Sequence, residues 1–106
     1  MTEIAQHFDP VSKAEAVAVW RSRMRMPVPT AEGVIMDVRI VAIYETRSVN
    51  GLPLDLLIEA QRSKQEPAKR FGVIFSESPP DWSQYSIPIL WRREGVAGVG
   101  RWRAGN

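Results

Sequence analysis

The sequence contains no cysteine, and this absence removes several kinds of chemistry at once. Without thiols the chain cannot form disulfides, carry out thiolate catalysis or hold a cysteine-ligated zinc or iron–sulfur site. A secreted domain of 106 residues would often be stabilised by disulfides. The composition therefore favours a reducing compartment, and we expect a cytoplasmic protein.

Histidine is nearly absent too, because His7 is the only one in the chain. One imidazole cannot build a nitrogen-rich transition-metal site, and His7 lies in the leading segment, outside any predicted site. The acidic residues lack the spacing of a magnesium or calcium loop, and no phosphate-binding glycine motif joins a strand to a helix. We expect no metal, no cofactor and no catalytic residues.

Long apolar runs are also missing. The longest uncharged stretch is far below the roughly 20 apolar residues that cross a bilayer. Residues 1–8 lack the basic-then-apolar order of a signal peptide. What the sequence does have is 44% apolar and 25% charged residues, with a net charge of only +2. These values are ordinary for a globular protein, so we expect one soluble domain over residues 1–106, without membrane contact.

The N-terminal part predicts one helix. After a leading segment at residues 1–9, aspartate followed by Pro10 can open a helix, and Pro27 prevents its continuation. The expected helix covers residues 10–25. Its apolar stripe consists of Ala16, Val17, Trp20 and Met24. We expect the helix to pack on a sheet through a buried Trp20.

Residues 33–104 predict a β-rich body. The clearest period-two alternation runs from Val34 to Arg47, and Asn50-Gly51 is typical of a hairpin turn. A second strand is expected over residues 54–62, although its helix-friendly composition leaves a helix as the alternative. Further strands are expected at 71–75 and 85–92, with a flexible or weakly stranded tail from residue 95. The fold class is α+β: one N-terminal helix on a mainly antiparallel meander of four or five strands, with closure into a small barrel left open.

The hairpin register follows from which side chains it would place on one face. A three-residue loop with Gly51 at positive φ pairs Tyr44 with Leu56, and keeps apolar residues together. A two-residue loop pairs Tyr44 with Leu57 and mixes apolar with charged positions. We therefore predict the first register. It leaves an apolar patch on the opposite face that some other element must cover: Val41, Ile43 and Leu57.

Tryptophan beside arginine is the most suggestive functional pattern. The candidate partner-binding residues are Trp102, Arg101, Arg103, Trp91, Arg92 and Arg93. These residue types are enriched where proteins bind each other. We therefore expect a small non-enzymatic module that binds a protein, self-association included. Stacking of bases on tryptophan makes single-stranded DNA or RNA binding one alternative. A small-molecule or catalytic pocket in a cone- or barrel-like sheet is another.

Overall fold

The computed structural model describes residues 12–29, 34–96 and 100–103. Within these residues, one α-helix is followed by six strands, with a short 3-10 helix (Trp82–Gln84) before the fifth strand. The elements are α1 (Lys13–Arg23), β1 (Arg25–Pro29), β2 (Ile35–Val49), β3 (Leu52–Gln61), β4 (Lys69–Ser76), β5 (Ile89–Arg93) and β6 (Gly100–Arg103). The strands form one sheet in chain order, and every neighbouring pair is antiparallel except β4 and β5, which are parallel. An α+β architecture is thus confirmed.

The sheet curls until its two edge strands, β1 and β6, lie close together without pairing. We call the gap between them the seam. The Met24 carbonyl accepts a hydrogen bond from the Ile40 amide at 2.8 Å. Since donors alternate along a strand, the even-numbered residues of β1 bond towards β2, and the nitrogens of Pro27 and Pro29 point to the seam. Proline has no N–H to donate, which explains why the near-barrel remains open there.

The interior of the near-barrel is apolar, and α1 closes one end of it. Trp20 is fully buried and its ring centre lies 6.5 Å from that of Phe75, late in β4. The expected burial of Trp20 is confirmed. The buried residues of this interior cluster are Ala16, Trp20, Met26, Val28, Val38, Ile40, Leu56, Ile58, Ala60, Phe71, Val73, Phe75 and Leu90.

The helix is shorter than the sequence predicted. Ser12 has extended backbone angles (φ −142°) and its hydroxyl accepts a hydrogen bond from the Glu15 amide, so α1 begins at Lys13 rather than at Pro10. Met24 ends it in the left-handed region (φ 53°), where its amide donates to the Trp20 carbonyl. The helix therefore stops through a left-handed cap, and β1 follows immediately. The leading segment 1–9 lies outside the described residues.

Residues 52–61 form a strand and Gly51 has positive φ (80°), as predicted, but the predicted hairpin register is wrong. Asn50 and Gly51 form a two-residue turn, and Tyr44 pairs with Leu57. A β-bulge between Ile40 and Ala42 adds one residue to β2 and inverts the orientation of everything beyond it. Because of this bulge, the two-residue loop places apolar residues on the buried faces both before and after the bulge. An unbroken alternation had argued against this register.

The sheet also departs from the predicted four- or five-stranded meander. No strand was predicted directly after the helix, yet β1 forms there, and as an edge strand it tolerates its two prolines. The predicted strand over 85–92 begins only at Ile89. Residues 77–88 instead return the chain to the start of β4, which makes β5 parallel to β4.

This return segment covers the outer face of the sheet and forms a second core, the outer cluster. Its buried members are Leu54, Leu57, Tyr85 and Ile89. Tyr44 and Trp82 pack against it, and the Tyr85 hydroxyl donates to the Pro53 carbonyl at 3.0 Å. The patch expected from the sequence is therefore divided. Leu57 is covered by the outer cluster, Ile43 packs against the interior cluster, and Val41 is 46% exposed.

The outer cluster should make stability depend on alkaline pH. Burial raises the pKa of Tyr85 above its ordinary value of 10.0, and the Asp55 carboxylate adds to the shift. The neutral phenol thus stabilises the fold fully below the unfolded-state pKa, and this contribution is lost as pH rises towards the folded-state pKa. We expect Tyr85→Phe to flatten the decline in unfolding free energy above about pH 10, as measured by urea unfolding across that range. An unchanged slope would contradict the assignment to Tyr85.

Candidate functional site

A cavity of about 370 Å³ opens at the end of the near-barrel away from α1. It lies near the start of β4, at Phe71, whereas Trp20 contacts Phe75 near the end of that strand. The cavity is bordered by five of the strands and by the β3–β4 loop. Its main apolar lining comes from Val28, Met36, Val38, Ala60, Phe71 and Trp102.

Strand alternation explains why this lining is apolar. Residues two apart on a strand face the same side, so Met36 and Val38 enter the interior together. Ala60 contributes only a methyl group at this level. The ring of Trp102 packs edge-on against Phe71, with centres 5.1 Å apart and planes 75° apart. This aromatic pair forms one wall and leaves Trp102 half-buried.

The rim of the cavity is polar. The Gln61 side chain donates to the Glu66 carbonyl at 2.6 Å, and the Arg62 guanidinium donates to the Glu66 carboxylate at 3.1 and 3.2 Å. These bonds hold the β3–β4 loop against the cavity. Lys69 also lines the rim and is exposed. Within the described residues its ammonium has neither a hydrogen bond nor an ion pair, so the rim carries one cation that is not neutralised.

The six candidate partner-binding residues do not form one exposed surface. Trp91 is 5% exposed, and its indole N–H donates to the Ser76 hydroxyl at 3.0 Å. Arg92 is equally buried and packs against Gly100 of β6. Trp102 faces the interior. The remaining candidates, Arg93, Arg101 and Arg103, are exposed.

From the sequence, Met36, Val38 and Ala60 were expected on the apolar face of the hairpin, and Phe71 in a short apolar strand. Val38, Ala60 and Phe71 are indeed buried strand residues, and none of the four was predicted to belong to a site. A hollow depends on how strongly the sheet curves and on which end the helix closes, and neither is encoded in a local motif. The one available signal is Ala60, a small residue that follows Leu56 and Ile58 on the inner face.

No protein family, curated protein or solved structure matches this chain. Within residues 12–29, 34–96 and 100–103, no group of three or more potential metal ligands is present. Over the same residues, no helix combines the length and apolar character needed to cross a membrane.

Proposed function

We propose that this protein is a non-enzymatic binding module that takes an apolar small molecule into the cavity at the open end of the near-barrel. The observation that carries the proposal is the cavity itself: about 370 Å³, with an apolar lining that includes an aromatic pair. Small-molecule sites in proteins have volumes of about 300–1,000 Å³ and mostly apolar linings with a few polar groups. The mouth of a small barrel is one of their usual locations.

Binding is favoured over catalysis by the polar groups near the cavity. Arg62 and Glu66 neutralise each other at the rim. Asp81, whose pKa is lowered by hydrogen bonds from Ser83 and Gln84, does not line the cavity, and neither does Tyr85. Groups with displaced pKa values are candidates for acid–base work, and these two lie away from the cavity.

The protein-interface and nucleic-acid hypotheses have less support. Both rely on exposed tryptophan beside arginine, whereas Trp20 and Trp91 are buried and Trp82 and Trp102 are half-buried. The exposed arginines of β5 and β6 remain available to a protein partner. Self-association and a cytoplasmic location stay predictions that follow from the sequence.

We expect linear alcohols to bind with an affinity that grows with chain length. Each methylene moved from water into an apolar site contributes about 0.8 kcal/mol, which is about fourfold in the dissociation constant. The affinity measured by calorimetric titration should therefore increase from hexanol to octanol and from octanol to decanol. The indole N–H resonance of Trp102 should shift on binding, because its ring is part of the cavity wall. Affinities that do not depend on chain length would contradict an apolar cavity site.

Ala60→Phe is the variant that tests the location, because it places a ring inside the cavity. It should weaken decanol binding at least about tenfold, equivalent to about 1.4 kcal/mol. Ala18→Phe makes the same change at an exposed position of α1 and should leave the affinity unchanged. Equal affinities in the two variants, both with dispersed amide spectra, would place the site elsewhere.

A further inference from the structure

The charged side chains at the rim of the cavity do not fully neutralise one another. Of its ionisable side chains, Arg62 and Glu66 form a two-point ion pair with each other. Lys69 adds a positive charge that no carboxylate of the described residues neutralises. The mouth of an apolar cavity therefore carries one net cation.

Lys69 is also directed correctly for a ligand in the cavity. It pairs with Ala60 across β3 and β4, and directly paired residues share one face of a sheet. It lies two residues before Phe71, again on the same face. Its methylene stem can follow the apolar wall while the ammonium stays in water at the mouth.

From this arrangement we infer that the natural ligand is a single-chain amphiphile with an anionic carboxylate head, such as a medium-chain fatty acid. The chain would lie among Val38, Ala60 and Trp102, and the carboxylate would meet the Lys69 ammonium at the rim. A volume near the lower end of the range for small-molecule sites suits one aliphatic chain rather than a two-chain lipid. This inference rests on the proposed function and adds the chemistry of the head group.

The test compares decanoate with decanol, which share a chain and differ in the head. We expect the protein to bind decanoate about three- to fivefold more tightly at low salt, the ratio that an exposed ion pair supplies. The ratio should shrink towards one as salt rises from about 20 mM to about 500 mM, because added ions screen the rim charge. Decyltrimethylammonium should bind more weakly than either.

Lys69→Met should abolish the preference for decanoate, because it keeps an unbranched apolar side chain and removes the charge. Lys69→Arg should retain the preference. Lys64→Met removes an exposed lysine of the neighbouring β3–β4 loop that does not line the cavity, and this variant should behave as the unmodified protein does. Using the ratio of the two affinities cancels any change that the methionine makes to the cavity lining.

The outcomes separate the two proposals. If decanol and decanoate both bind with equal affinity, or if Lys69→Met keeps the preference, the head-group inference is overturned while the cavity function stands. Tighter binding of decyltrimethylammonium would overturn it in favour of recognition by Glu66. If none of the three compounds binds, the cavity function itself fails. Binding only to vesicles that contain fatty acid, without binding of free decanoate, would replace a soluble ligand with a membrane surface and also overturn the inference.

Discussion

Trp20→Ala should lower the free energy of unfolding by about 3–5 kcal/mol, the cost of deleting a large aromatic side chain from a core. Trp20 is fully buried, joins α1 to the interior cluster and contacts the ring of Phe75. Ala16 is the other buried residue of α1, and Trp20 is by far the larger of the two side chains. A loss of this size is a large fraction of the 5–15 kcal/mol that stabilises a typical domain. Urea unfolding followed by circular dichroism measures it.

Trp20→Phe is the matched control. Among the residues that the structure describes, the buried Trp20 indole nitrogen has no hydrogen-bond partner, so phenylalanine removes an unsatisfied donor while it keeps most of the packing. We expect this variant to lose less than half as much stability as Trp20→Ala. A cost below about 1 kcal/mol for Trp20→Ala, well under the range for core aromatics, would show that α1 does not close the near-barrel in solution.

Gly72→Val should be the next most damaging change, at about 3 kcal/mol, the upper end of the cost of overpacking a core. A Cβ built on Gly72 lies 2.5 Å from a methyl carbon of Leu54 and 2.9 Å from one of Ile89. Both neighbours are buried in the outer cluster, so a shift of either methyl group disturbs packed side chains. Valine favours strands, but that preference spans only about 1 kcal/mol and cannot offset the clash.

A double-mutant cycle shows whether this clash is the cause. Leu54→Ala removes the nearer methyl groups and is itself destabilising, because it leaves a cavity. The double variant should lose clearly less stability than the sum of the two single losses, because the valine occupies the space that the leucine vacated. Additive losses would mean that Gly72 is required for a reason other than its contact with Leu54.

The hairpin shows how far the sequence carries a structural prediction. The long strand, the turn at Asn50-Gly51 and the strand after it are all encoded in local patterns and were predicted. The register was predicted wrongly, because it was chosen by assuming that the side chains of an unbroken strand alternate between the two faces. The bulge between Ile40 and Ala42 inverts the alternation, so that Ile43 points to the interior and Tyr44 to the outer cluster. An alternation that is apolar on both faces does not say where such an inversion occurs.

The candidate site was predictable only in part. The sequence pattern pointed to Trp102 as a partner-binding residue, whereas in the structure it lies on the edge strand β6 and packs against the interior cluster. Its contact with Phe71 joins residues that are 31 positions apart in sequence. The cavity beside this pair results from the curvature of the whole sheet. Curvature is a property of the tertiary structure and is not encoded in a local sequence pattern.

The seam between β1 and β6 has a consequence for how a ligand reaches the cavity. Because the described parts of these strands are not paired, they can move apart without breaking a backbone hydrogen bond. Val28 and Trp102 stand on opposite sides of the seam, and both line the cavity. For the amphiphile proposed above, this gives a second route: its apolar chain would enter sideways between the strands, with its head left outside, as well as end-on through the mouth. Pro27 and Pro29 have no N–H to donate across the seam, so separating the strands there costs no hydrogen bond from either of these two residues.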